Sequence, residues 1–330
     1  MMNHFCTLFN SLYLSRGLAM YRSLEKYSTS FHLYIFAFDD RCFETLFNLR
    51  LKHATIIPLR DFEDKELLLV KSSRTAGEYC WTCTPSTIRY AIQRFGLDAC
   101  TYLDADLLFF ADPAPLLEEM GDRSVLITAH RYTREYDQTA ISGKYCVQFV
   151  CFKNTDDGMQ TLEWWRMACL EWCFNRVEEG RFGDQKYLDD WGIRFKGVHE
   201  LMGLGGGVAP WNVQQYDFEY RGAHVYGREV STSLDFPVVF YHYHSFKYAE
   251  SNAFVPASGY RLSSNDLHFL YKPYVKALKS ADKELRKIVV DYLFHEAVEI
   301  PRIRKSIRRM YKLYVQGQYD NYYHTSYFFR

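Results

Sequence analysis

Along the first 130 residues of the chain, short β-rich runs alternate with segments of helical period. Strands are expected at Phe5 to Phe9, Leu33 to Phe38, Thr55 to Leu59, Ala99 to Leu103 and Ser124 to Thr128. Helices are expected at Gly17 to Lys26 and at Ser86 to Phe95, the latter running into Gly96. Strands spaced by helices imply βαβ units and an α/β fold built on a mostly parallel sheet. Ligands of such sheets bind outside the carboxyl ends of the strands.

One of those ends carries charge. Thr101-Tyr-Leu-Asp104-Ala-Asp106-Leu-Leu-Phe-Phe110 is apolar apart from two carboxylates, and Asp112 and Pro113 follow. In extended backbone, residues two apart project to the same side. Two unpaired charges ending a buried strand are costly unless compensated. A hard divalent cation such as Mg²⁺ or Mn²⁺ compensates them and keeps positions open for phosphate.

Three later segments carry further chemistry. Gly183-Asp184-Gln185 opens a short helix, with Asp184 either capping it or, with Gln185, facing a polar ligand. Gly203-x-Gly205-Gly206-Gly207 either admits a ligand close to the backbone or forms a plain turn; its spacing is neither a Walker A loop nor a dinucleotide fingerprint. In Tyr241-His242-Tyr243-His244-Ser245-Phe246-Lys247, a strand puts both histidines on one face, where an imidazole joins two carboxylates as a Mn²⁺ site.

Composition narrows the classes. Forty basic residues balance forty acidic ones, which argues against a nucleic-acid binder. No signal peptide and no stretch of 18 uninterrupted apolar residues is seen. Nine scattered cysteines then read as reduced thiols of a cytoplasmic protein. The Cys80–Cys83 and Cys169–Cys173 pairs lie in Trp-rich segments expected to be helical, which favours buried structural thiols over a zinc site. After Lys144 the pattern mixes a strand at Tyr145 to Phe152, an aromatic helix at Leu162 to Glu179, and strands near Val198, His224 and Val238. With no linker or repeat, residues 1–264 read as one domain, followed by a mostly helical extension over 265–330.

In this order, the segments resemble glycosyltransferases of the GT-A fold. The likeness is to family 8-like, nucleotide-sugar-dependent enzymes of the bacterial surface-polysaccharide type, over residues 3 to 250. Thr7 and Asn10 on the first strand resemble the nucleoside-binding start. Tyr102-Leu-Asp104-Ala-Asp106 resembles the metal-binding Asp-x-Asp, with Asp104 also on the ribose side. Gln148 to Asn154 resembles the strand lining the sugar site, Asp184-Gln185 the Asp-Gln motif at the donor sugar, and Pro210-Trp-Asn212 the strand after it.

His242-Tyr-His-Ser245 with Lys247 resembles the His-Phe-x-Gly-x-x-Lys element, whose histidine is the third metal ligand and whose lysine meets the diphosphate. Here Ser245 stands for the usual Gly and Lys247 sits one residue closer to the histidine. His242 matches that spacing, with His244 as the alternative ligand. The resemblance implies a Mn²⁺- or Mg²⁺-dependent, retaining transfer from a nucleoside-diphosphate sugar, by family expectation a UDP-sugar, to a saccharide or lipid-linked saccharide. Asp184 and Gln185 would be the catalytic residues. A nucleotidyltransferase would instead carry a Gly-rich basic loop after the first strand, which Asn10 to Gly17 lacks; a non-catalytic sugar or nucleotide binder is the other alternative.

The tail adds a location. Arg302, Arg304, Lys305, Arg308, Arg309 and Lys312 surround Ile303, Ile307, Met310, Leu313 and Tyr314 at helical spacing, with aromatics beyond. An amphipathic helix of this kind either docks on the catalytic domain or lies on an anionic membrane surface, here the inner face of the cell membrane.

Overall fold

The computed structural model describes residues 2–290, 292–299, 307, 311–312, 315, 318–319 and 321–329. Within them, β1 (Asn3–Phe9), α1 (Leu14–Tyr27), β2 (Phe31–Ala37), α2 (Asp40–Leu49) and β3 (Ala54–Pro58) alternate as expected. Two short helices, α3 (Leu59–Phe62) and α4 (Lys65–Lys71), lead to the long α5 (Ala76–Phe95) and then to β4 (Ala99–Leu103). α5 takes in both the Cys80–Cys83 segment and the Ser86 to Phe95 stretch read as helical, and it starts at Ala76 because Thr75 and Glu78 form a capping box, satisfying two orphan amides. Gly96 ends it at φ 63°, a conformation glycine adopts without penalty.

Next come β5 (Leu107–Phe109), α6 (Ala114–Glu118), β6 (Val125–Ala129), α7 (Thr139–Ser142), β7 (Tyr145–Lys153), α8 (Asp156–Glu171), α9 (Trp191–Arg194) and β8 (Val198–Glu200). The aromatic helix therefore spans 156–171 rather than 162–179. The Thr155 hydroxyl caps its start, with Asp156 and Asp157 in the first turn. It stops where Trp172 turns extended and its ring packs on Phe174. The short helix read near Gly183 is a tight turn at Lys186–Asp190 running into α9.

The main sheet runs β3-β2-β1-β4-β7-β6-β8. β1 is parallel to β2 and β4, β2 to β3, and β6 to β8; only β7 runs against its neighbours. It is a mixed, mostly parallel sheet with helices on both faces, as the resemblance implies. One face buries Leu14, Leu18 and Leu24 of α1 against residues from the C-terminal region. The other buries Cys83, Ile88 and Ile92 of α5 with Trp165 and Cys169 of α8.

The rest of the chain forms a meander of β9 (Tyr216–Arg221), β10 (His224–Glu229) and β11 (Asp235–Pro237), then β12 (Phe240–His242), β13 (Lys247–Ala249) and β14 (Ala253–Val255). The extension opens helically, with α10 (Ser264–Asp266) continuing through Leu267–Tyr271 into α11 (Lys272–Leu285). It then contributes β15 (Ala297–Val298), β16 (Gln318–Tyr319) and β17 (Tyr322–His324) to a sheet with β13 and β14. Strands of two or three residues show no readable alternation, which is why sequence periodicity passes over them. Leu270, Tyr274, Leu278 and Leu285 share the core of α1, so much of the extension packs as part of the sheet's own support.

Of the basic tail, Arg302, Ile303, Arg304, Lys305, Arg308, Arg309, Met310, Leu313 and Tyr314 lie outside the described residues. Among the described residues no helix is long and apolar enough to cross a membrane. All nine cysteines are free.

Candidate active site

Beyond the end of β4, the Asp104 amide donates to the Gln148 carbonyl of β7 (3.1 Å), which holds the two-aspartate segment at the sheet's edge. β5 then pairs antiparallel with β12, with Leu107 opposite His242. The Tyr243 amide donates to the Asp106 carbonyl (3.0 Å), extending the same ribbon. This pairing carries His242 onto the carboxylates: its Nε2 lies 3.1 Å from Asp106 Oδ1 and 3.7 Å from Asp104 Oδ2. Its Nδ1 is 2.8 Å from Gln148 Oε1, so an Nδ1–H donated there leaves Nε2 free toward the aspartates. The Cys146 thiol joins them: Asp104, Cys146 and His242 each offer a ligand atom, all within 4.8 Å of one another. Among the described residues this is the one such group, and the Cys80–Cys83 and Cys169–Cys173 pairs are no part of it.

The group lies in a cleft of about 740 Å³. Asn10 and Tyr13 line the end nearest β1, and Trp81 and Thr84 of α5 another wall. Tyr132, Trp211, His244 and Tyr260 border it as well. Asp184 and Gln185 both face the cleft, and Asp184 caps no helix: the turn after it begins on Gln185 without a side-chain cap. Trp165 of α8 donates from its indole to the Asp184 carbonyl (2.9 Å), and the Gln185 amide group donates to the Ser142 carbonyl (2.9 Å).

Charge is crowded here. Burial raises the Asp184 pKa to about 7, helped by repulsion from Asp104. Burial likewise pushes Asp104 up, opposed by the His242 cation. Burial disfavours the charged forms of Asp106 and His242 too, but their mutual attraction outweighs it, so Asp106 moves down and His242 up. The imidazolium thus partly neutralises a group of carboxylates that would otherwise repel one another.

Other residues read from sequence fall elsewhere. Thr7 is fully buried in β1, its hydroxyl without a partner, and is not among the residues lining the cleft. Lys247 is exposed on β13 and does not line the cleft either. Ser245, at the position where the resemblance has Gly, explains why: it adopts φ 59°, a left-handed conformation that glycine takes most easily, and the Tyr243–Phe246 turn around it leads the next residues into β13. The Ser245 hydroxyl accepts from the Ser258 amide (3.0 Å), which helps hold the turn.

His244 lies past the end of β12, its ring 5.8 Å from that of His242, and both rings pack edge-on against Trp211. The glycine cluster is a packing device rather than a ligand cradle. A Cβ on Gly205 would sit 2.0 Å from the Pro237 carbonyl oxygen, and Gly207 holds φ 94°. Asn212 locks the segment, donating to the His130 and Gly207 carbonyls.

Two neighbours of the site, Cys146 and Arg16, were not read from the sequence, and Gln148 was read as lining the sugar site rather than as a partner of His242. Cys146 and Gln148 are two apart on β7, so strand alternation was available to pair them. Arg16 is buried in α1, reaches the Phe246 carbonyl (3.1 Å) and stacks on Tyr13 (4.4 Å). No local pattern marks an arginine inside an amphipathic helix as buried.

No protein-family model matches the chain. Bacillus subtilis (strain 168) YfnD, described as uncharacterized, is 31% identical over 297 residues, covering 88% of this chain and 93% of that protein. YfnF of the same strain, also uncharacterized, is 30% identical over 286 residues, covering 84% and 92%. Among solved structures, the galactosyltransferase LgtC with donor and acceptor sugar analogs is 13% identical, with a TM-score of 0.49 over 84% of this chain and 95% of that one. The Streptococcus pneumoniae TIGR4 glycosyltransferase GlyE is 17% identical, with a TM-score of 0.41 over 61% and 45%.

Proposed function

The chain belongs to the family of YfnD and YfnF, and we propose that it is a metal-dependent glycosyltransferase. In this reading it moves a hexose from a nucleoside-diphosphate sugar, by resemblance a UDP-sugar, to a saccharide acceptor, with retention. The observation that carries the proposal is the convergence of Asp104, Asp106 and His242 at a strand's carboxyl end, in one cleft with Asp184 and Gln185. Carboxylate oxygens with a free imidazole nitrogen are a donor set that suits Mn²⁺ or Mg²⁺. A cation held there supplies positive charge to the diphosphate as the sugar departs.

The chain's own residues do the remainder. Asp106 and His242 hold the site in register through the β5–β12 ribbon, and Gln148 keeps the His242 tautomer that leaves Nε2 available. Asn10 and Tyr13 stand where a nucleoside enters, and Asp104 reaches both the nucleotide and the cation. Asp184 and Gln185 bind and orient the sugar. With its pKa raised to about 7, Asp184 can donate a hydrogen bond to a sugar hydroxyl as readily as accept one. Gln185 presents a neutral amide beside the anomeric centre. Lys247 as a diphosphate contact would require its side chain to reach in from the exposed face of β13.

A thermal-shift panel of sugar nucleotides with and without Mn²⁺, followed by an assay for released nucleoside diphosphate, tests the proposal. Mn²⁺-dependent stabilisation by one sugar nucleotide, with nucleoside diphosphate released on adding acceptor, is the expected result. Pyrophosphate exchange would identify a nucleotidyltransferase instead, and ligand binding with neither reaction a binder. The tail's basic and aromatic residues support a second element of the proposal, attachment to an anionic membrane surface where a lipid-linked acceptor would lie. Equal vesicle co-sedimentation of the full chain and a version ending near Glu299 would rule that out.

A further inference from the structure

We infer that Cys146 is a ligand of the cation site, giving it one soft donor and a capacity to take thiophilic cations such as Co²⁺, Zn²⁺ and Cd²⁺. This rests on the cation site proposed above and adds a donor that the resemblance does not contain.

Position is the first ground. Cys146 and Gln148 alternate onto the same side of β7, and Gln148 already holds the far nitrogen of His242. β7 pairs with β4 up to Leu103, so its next residues run alongside Asp104. A register irregularity where β6 meets β7, between Leu126 and Thr128, falls beside this stretch. The thiol is buried within the protein yet borders the cleft.

Distance is the second. The donor atoms of Asp104, Cys146 and His242 lie within 4.8 Å of one another. A cation with sulfur at about 2.3 Å and nitrogen or oxygen at about 2.0–2.2 Å brings tetrahedral ligands to roughly 3.5 Å apart. Side-chain adjustments of about an ångström close that difference. The third ground is contrast. Cys80 also borders the cleft but belongs to no ligand group, and Cys83 and Cys169 are buried among apolar side chains.

Coordination by the thiol forms a metal–sulfur bond and releases the S–H proton to bulk water, with no change in oxidation state. A site with one thiolate, one imidazole and the Asp104 carboxylate shifts its preference from hard toward borderline cations.

The test is a Co²⁺ titration of the full chain in a thiol-free buffer, read by absorption. The expected result is a visible ligand-field band together with a near-ultraviolet sulfur-to-cobalt charge-transfer band. Cys146→Ser should lose the charge-transfer band and bind Zn²⁺ or Cd²⁺ roughly ten-fold or more weakly, while Mn²⁺ affinity changes far less. Cys80→Ser should keep the band. Co²⁺ bound by the unaltered chain without a charge-transfer band overturns the thiol ligand and leaves the cation site standing. No bound Co²⁺ and no bound Mn²⁺ overturns both. Where a cysteine variant fails to fold, the absence of the band from the unaltered chain still overturns the thiol ligand.

Discussion

Two places in the molecule bury charge, and they do it in opposite ways. On the helical side, Arg166 of α8 is almost fully buried, yet its guanidinium meets Asp64 at 2.6 Å, Glu66 at 2.8 Å and the Ser86 hydroxyl at 3.1 Å. Opposite charges and hydrogen bonds saturate it, and it ties α4, α5 and α8 together. At the end of β4, Asp104 and Asp106 share the His242 imidazole, Asp184 lines the same cleft, and several of their pKa values move. Saturated charge is structural. Like charges held together, with too few counter-ions of their own, mark a place built for something else to bind.

The sharpest way to break this contrast is at Asp106. Asp106→Ala should lower transfer by on the order of 10²–10³ or more and abolish metal-dependent nucleotide binding. Its fold should survive, since the ion pair it loses with His242 lies at the cleft wall and His242 can return to its neutral form. Normal turnover of the variant in EDTA would mean that the crowded aspartates serve no cation.

Asp184 and Gln185 come next. Replacing either by Ala should reduce transfer by roughly 10²-fold, with affinity for free nucleoside diphosphate nearly unchanged. Equal loss of both would make them structural.

Asp184 also predicts a pH effect. Its folded pKa of about 7 stands above the ordinary carboxylate value of 3.8. Stability from this group is therefore fully present below the unfolded pKa and is lost as pH rises from about 4 to about 7. Asp184→Asn removes that loss, so in denaturant unfolding without metal it should gain on the natural chain as pH rises from 4 to 8. About 4 kcal/mol is the ceiling for a shift of this size. An advantage independent of pH would show that burial and the Asp104 charge do not raise the pKa of this residue.

Arg166→Leu should do the reverse: a stability loss of about 1–3 kcal/mol, moderated because Asp64 and Glu66 stay partly solvated, with cation affinity unchanged. Loss of cation binding in a folded Arg166→Leu chain would join the two places into one. The smallest effect is expected at Ser245→Gly. Relief of the left-handed φ is offset by a looser unfolded chain and the lost bond to Ser258, leaving a change within about 1 kcal/mol in unfolding measurements and activity intact.

How much of the site was legible follows from how local each signal is. Asp104 and Asp106 announce themselves because an apolar strand rarely ends on two carboxylates. Asp184-Gln185 was visible as a motif, but only the uncapped turn that begins on Gln185 and the cleft wall separate a cleft-facing Asp from a cap. The glycine cluster was legible as close approach but not as to what: the approaching group is the Pro237 carbonyl, not a ligand. Lys247 looked well placed along the chain, and the turn at Ser245 moves it away.

By itself, the sequence determined the alternation of strands and helices, the mostly parallel sheet it implies, and the end of that sheet where carboxylates collect. These depend on side-chain period, turn residues and caps, which act over a few neighbouring positions. The resemblance pointed to His242 by spacing and kept His244 as the alternative; tertiary structure alone decided that the His242 Nε2 meets Asp106 and Asp104, because that follows from the register of β12 on β5, strands more than 130 positions apart in the chain. It also decided that Cys146 stands beside them and that Arg16 is buried behind Tyr13. Such pairings are set by the packing of both faces of the sheet at once, and no window along the chain contains the residues that choose them.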